Sequence, residues 1–193
     1  MKHLALRVIG EEHSALRAVL YSLEEVAQKP TSSLGAEDFE VMRAMLVYIA
    51  EYPEKLHHKK ESETLFPMVL ARSLELKSVI KELDDQHERG ESAVWSLMHS
   101  LMLWEMLGSG RQKTFVNELK RYKEFYLNHM QVETEVVIPV AEDVLTEDDW
   151  EILDSIFALN KDPLTGHQPS LEFEGLFRKS HPMYLLTKAL RLI

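Results

Sequence analysis

Cysteine is absent from all 193 residues. That excludes disulfides, thiolate zinc sites, iron–sulfur clusters and a cysteine nucleophile together. A chain without thiols suits a reducing compartment, so the cytoplasm is the expected location. Positive charge is also in short supply: 22 Lys and Arg stand against 32 Asp and Glu, for a net charge of −10. Nucleic acid, which calls for a basic face, is not an expected partner. No apolar run approaches the ~18–20 residues of a membrane span. Residues 1–10 show no apolar segment followed by a small-residue cleavage site, so neither a membrane nor a signal peptide is expected. Glycine-rich phosphate loops, a G-x-S-x-G elbow and a dinucleotide fingerprint are missing, which disfavours nucleotide enzymes.

Glycine and proline number only seven each and fall mostly between long periodic segments. Few breaks and long helical periods indicate an all-α protein. The first helix is expected over residues 2–28, where Leu6, Ile9, His13, Leu16, Leu20 and Leu23 step by three and four. A second begins near Glu37 with a buried row of Phe39, Met42, Leu46 and Ile49, running through Pro53 to His57 and Glu61. Pro53 lacks an N–H and crowds the preceding turn, so a kink is expected about one turn before His57. The third carries Leu76, Ile80, Leu83, His87, Gly90, Val94, Leu97, Leu101 and Trp104. Gly90 costs about 1 kcal/mol against alanine there, which suggests that something needs the space. The fourth carries Phe115, Leu119, Tyr122, Tyr126, His129, Glu133 and Val136, up to Pro139. Four long helices with short connections predict an antiparallel up-down four-helix bundle over residues 1–144. A short C-terminal helical extension, residues 145–193, opens with a Thr146-Glu147-Asp148-Asp149 cap and reads as a lid or an oligomer contact. The oligomeric state is not fixed by the sequence.

One pattern occurs twice, seventy-two residues apart. His57 to Pro67 and His129 to Pro139 both fit H-x-x-x-E-x-E-x-x-Φ-Φ-P, with Φ apolar. On a helix, His and Glu four apart lie about 40° apart and can share one metal ion. The second glutamate of each copy, Glu63 or Glu135, points roughly 160° away and reads as solvated. Helix by helix, the inward polar residues are His13, then His57 and Glu61, then His87, then His129 and Glu133. A single histidine on an apolar face is more often a satisfied core residue. Four on four different seams are not easily coincidence, and six buried ionisable groups without a cation are costly. Four imidazoles and two carboxylates suit two metal ions, each taking two histidines, with both glutamates bridging. Nitrogen and oxygen ligands without sulfur favour iron, manganese or zinc.

These residues resemble the hemerythrin-like, or HHE cation-binding, proteins. The resemblance rests on Glu12-His13, His57-His58-x-x-Glu61, Leu65-Phe66-Pro67, His87 and His129-x-x-x-Glu133, and covers about residues 4–140. It implies a four-helix bundle around two iron ions, oxo- or hydroxo-bridged, with manganese or zinc behind iron. It also implies oxygen binding, or binding and sensing of a small diatomic or peroxide ligand such as nitric oxide. The chain departs from the oxygen carriers in two places. They have a second histidine four after the one on the third helix, where this chain has Glu91. They also end with His and then Asp five on, where this chain has His129 and then Glu133. Either Glu91 completes the site, or a water, a tyrosine or an open position does. Added carboxylate would favour the alternative, a di-iron enzyme with peroxidase- or oxygenase-like activity. Metal storage or iron-centre repair ranks lower, because repair relatives are expected to carry a cysteine-bearing segment.

Four further residues belong beside this set. His58, about 100° round from His57, reads as a surface position or one adjacent to the ligands, with a place among the ligands as the lesser alternative. Tyr126 and Tyr122 lie one and two turns before His129, as core packing or as hydroxyls that orient a ligand. Glu12 reads as solvated. His3, His99, His167 and His181 match no spacing.

Overall fold

The computed structural model describes residues 3–159 and 161–166. Among them every regular element is helical. Helix α1 is Leu4–Ala27. Helix α2, residues 36–72, opens as Ala36–Ile49, passes through two wide turns at Ala50–His57 and Glu61–Leu65, and closes as Phe66–Arg72. Helix α3 is the unbroken Lys77–Leu107. Helix α4, residues 112–144, comprises Gln112–Val132, a wide turn at Glu133–Val137, and Ile138–Val144. Each packs on its chain neighbour and α4 returns to α1, which closes a four-helix bundle. No helix among the described residues is long and apolar enough to cross a membrane.

The seams read from the sequence are the buried stripes. On α3 the buried residues from Ile80 to Trp104 are those of the four-three rhythm, His87 and Gly90 included. The apolar side chains form two separate cores. An upper one gathers Leu16, Leu20, Leu23, Met42, Leu46, Val94, Leu101, Trp104, Phe115 and Leu119. A lower one gathers Leu6, Ile9, Leu65, Phe66, Val69, Leu83, Val137 and Ala141. On every helix the candidate histidine falls between residues of the two. The polar layer is therefore sealed from above and below by apolar packing.

The proline-linked turns depart from the expected register. Proline has no N–H and its ring crowds the carbonyl four residues back. The chain relieves this by widening the turn to bonds of i→i+5, a known way to absorb one extra residue. The Phe66 N–H reaches the Glu61 carbonyl, the Ile138 N–H reaches that of Glu133, and the His58 N–H reaches that of Pro53. The expected kink at Pro53 therefore takes the form of a long wide turn. One expectation fails as a result. The four-three rhythm puts Val136 on the seam, but the extra residue moves the buried position on by one: Val136 is 38 % exposed and Val137 is fully buried.

Helix α5, Glu147–Phe157, begins where the acidic cap predicts. Thr146 Oγ1 accepts from the Asp149 N–H, and Asp149 Oδ2 accepts from the Thr146 N–H. Its Trp150, Leu153 and Phe157 join the lower core, and α5 lies along α1. His3, unassigned by the sequence, stacks on Trp150 with centroids 4.3 Å apart. Downstream, the Tyr48 hydroxyl donates to Asp162 Oδ2 at 2.8 Å and the Leu164 N–H donates to Oδ1 at 2.8 Å. These bonds tie the short turn Pro163–Thr165 to the bundle. His167, His181 and the apolar tail from Ser170 lie outside the described residues, and with them most of the expected lid or oligomer contact.

Candidate metal centre

His13, His57, Glu61, His87, His129 and Glu133 come together as a buried layer. His13 Nε2 and His57 Nε2 are 3.1 Å apart, and so are His87 Nε2 and His129 Nε2. The two glutamates lie between these pairs. Glu61 Oε1 is 3.2 Å from His57 Nε2, and its Oε2 is 3.7 Å from His87 Nε2. Glu133 Oε2 is 3.2 Å from His13 Nε2, and its Oε1 is 3.1 Å from His129 Nε2. Each carboxylate thus faces one histidine pair with one oxygen and the other pair with the second. Two donors each ~2.1 Å from one ion stand ~3.0–3.4 Å apart at octahedral or tetrahedral angles. Five of these six separations match that spacing, and only the one from Glu61 Oε2 to His87 is longer.

The hydrogen bonding behind the imidazoles fixes which nitrogen faces inward. His57 Nδ1 lies 2.6 Å from Glu12 Oε2, and His129 Nδ1 lies 2.8 Å from Gln86 Oε1. Both partners only accept, so both Nδ1 atoms carry the proton. Ser62 Oγ donates to Asp84 Oδ1 at 2.6 Å and so accepts from His87 Nδ1 at 2.8 Å. Three Nε2 lone pairs are therefore turned into the centre when the rings are neutral, the arrangement that orients metal-bound histidine. Within the centre the carboxylates find no such partners. Glu61 Oε2 and both oxygens of Glu133 are buried and close no hydrogen bond. An unsatisfied buried acceptor costs ~1–3 kcal/mol, and more when charged. The donor set, its spacing and these orphaned oxygens fit a pair of cations.

Without a cation the charges compensate one another. Burial works against a charged His57, yet the carboxylates of Glu61 and Glu12 outweigh it and hold its pKa well above the usual imidazole value. Burial likewise opposes a charged His129, and Glu133 outweighs it and raises that group too. Glu133 is held well below the carboxylate range because the charge of His129, with the imidazoles of His13 and His87 close by, overcomes its burial.

Two expectations about the flanking residues, on Glu12 and His58, are corrected, and Glu91 is located. Glu12 is buried rather than solvated, because Lys60 and the α5 helix cover that side of α1: Lys60 Nζ lies 3.4 Å from Glu12 Oε1 and 5.1 Å above the Phe157 ring. Glu91 is exposed and belongs to none of the clustered groups. On the regular α3 the buried stripe runs from His87 to Gly90 to Val94, which leaves residue 91 on its flank. His58 is not on the surface; it is buried, stacked on His87 at 4.1 Å, with a ring nitrogen grouped with those of His87 and His129. In a wide turn each residue advances by roughly 80° instead of 100°, so neighbours such as His57 and His58 can both face inward.

Sequence reasoning missed Glu54. Its buried carboxylate accepts from the Tyr122 hydroxyl at 2.7 Å, from the Tyr126 hydroxyl, and lies 3.1 Å from His58 Nδ1. The spacing Glu54-x-x-x-His58, interleaved with His57-x-x-x-Glu61, was the available signal. Burial raises the Glu54 pKa, and the two tyrosine hydroxyls partly offset it. Glu63 and Glu135 are exposed, as their angular position implies.

No curated protein and no solved structure shows a significant match to this chain. The family model of the hemerythrin HHE cation-binding domain does match, over residues 4–141. That span contains the whole bundle apart from its last turn and every residue of the buried His and Glu layer. The chain therefore belongs to the hemerythrin HHE cation-binding domain family.

Proposed function

We propose that this protein is a dinuclear non-haem iron protein that binds or senses a small ligand: oxygen, nitric oxide or peroxide. The observation that carries the reading is a pair of buried carboxylates, three of whose four oxygens close no hydrogen bond, facing four imidazoles of which His13, His57 and His129 stand at metal-ligand spacing. His13 and His57 would hold one ion and His87 and His129 the other, with Glu61 and Glu133 shared between the two groups. A pair of iron ions would supply reversible redox change and coordination positions for a small ligand.

The chain's own residues do the rest. Glu12, Gln86 and Ser62 hold three imidazoles with Nε2 inward. The two apolar cores keep bulk water from the layer, which strengthens every charge interaction within it. The enzyme alternative drew its support from a further carboxylate at Glu91, and that side chain stands outside the centre.

The test is an absorption spectrum of reduced protein before and after air, with metal analysis on the same sample. Two irons per chain and near-ultraviolet charge-transfer bands that respond to oxygen, nitric oxide or peroxide are expected. Well under one iron per chain, with none loadable, would overturn the reading.

A further inference from the structure

The two half-sites differ in a residue that the repeat does not predict. The half built on His87 and His129 has a third imidazole beside it, that of His58. It is 3 % exposed, parallel to the His87 ring at 4.1 Å and parallel to the Tyr126 ring at 5.6 Å. Its Nδ1 faces the Glu54 carboxylate, which accepts, so Nε2 is the nitrogen left to donate electrons. Among the described residues the half built on His13 and His57 is grouped with no third ring, and Glu12 is engaged behind His57.

We propose that His58 is a ligand of the ion held by His87 and His129, and that Glu54 is the residue that positions it. This rests on the dinuclear reading above and deepens it. The site is then lopsided, with three nitrogens on one ion and two on the other, and the ions load in order, the three-nitrogen half first. The nitrogen missing at Glu91 on α3 is supplied from α2 instead. The supporting structure is continuous: Tyr122 and Tyr126 donate to Glu54, Glu54 accepts from His58, and Gly90 leaves room for the Tyr126 hydroxyl. Four residues thus converge on one ring orientation.

Cobalt(II), with visible bands that report coordination number, is the probe. Metal-free full-length protein is titrated anaerobically, and affinity is read by chelator competition. Wild type should bind two cobalt ions in two unequal steps. His58→Ala should weaken the tighter step by about 10–100-fold or more and change the visible band intensity. His58→Gln, which keeps polar volume, should do the same if the alanine variant folds poorly. Glu54→Gln should weaken that step less, and Glu91→Ala should change nothing. Two unaltered steps and an unaltered spectrum in both His58 variants would make His58 a packing residue and overturn the proposal while leaving the dinuclear site intact. Failure of wild type to bind cobalt or iron would instead overturn the reading on which it rests.

Discussion

The hydroxyl of Tyr126 occupies the volume that a β-carbon at position 90 would fill: a Cβ built on Gly90 would lie 1.8 Å from Tyr126 Oη and 3.0 Å from Glu54 Oε2. The glycine costs helix propensity and in exchange admits a buried tyrosine–carboxylate pair. Gly90→Ala is expected to destabilise the fold by ~1–3 kcal/mol, the usual range for overpacking. The same substitution in a Tyr126→Phe background should cost less, since the closest atom is gone. Urea midpoints for the four proteins of this double-mutant cycle give the coupling. Equal costs in both backgrounds would show that the hydroxyl is not the obstacle.

Removing Glu12 tests the fixed tautomer of His57. Glu12→Ala deletes the acceptor 2.6 Å from Nδ1 and frees the ring to turn. Loss of such a partner lowers metal affinity by about 10–100-fold. Competition against a chelator of known strength should show the loss with the helical content unchanged.

Metal uptake should release protons near neutral pH. In the metal-free protein the pKa values of His57 and His129 are raised, by Glu61 and Glu12 in one case and Glu133 in the other, against the pull of burial. A raised histidine pKa stabilises the fold fully below the unfolded value and loses that contribution as pH rises through the folded value. A cation needs the neutral ring, so it displaces those protons and its apparent affinity climbs with pH. Titration calorimetry in two buffers of different ionisation enthalpy measures the release. Identical heats in both would contradict it.

Asp162 gives a pH dependence of opposite sign to that of most carboxylates. Burial raises its pKa to about 6, with the Tyr48 hydroxyl and Leu164 N–H only partly offsetting. The folded state therefore binds a proton that the unfolded chain has lost, and stability falls as pH rises from about 4 to about 6. The span corresponds to at most ~3 kcal/mol. Asp162→Asn removes the titration, so the variant should gain on wild type between these pH values in urea unfolding of metal-free protein. A constant difference would show that Asp162 does not titrate there.

The straight helices were legible in the sequence and the wide turns were not. Along α1 and α3 an unbroken three-four rhythm put Leu6 to Leu23 and Ile80 to Trp104 where the structure buries them. The repeated motif likewise led to Glu61 and Glu133, because His and Glu four apart share a face in either kind of turn. What lay hidden was the behaviour of the chain next to proline. Regular helical angles send His58 sideways and Val136 inward, while the i→i+5 turns bring His58 in and put Val137 in place of Val136. Glu12 was hidden for another reason. Its burial depends on α5, a segment more than a hundred residues away.

The wide turns also make the chain unevenly tolerant of losing a residue. Glu61 and Val69 are both buried eight residues apart, as are Glu133 and Ala141, where a regular helix would use seven. Each stretch therefore holds one residue of slack. A single deletion among residues 62–64 or 134–136 would keep Glu61 or Glu133 and the lower core facing inward, at the cost of Pro67 or Pro139 crowding the closed turn. The same deletion between His87 and Gly90, where α3 has none to spare, turns the rest of its apolar stripe by about 100° toward water.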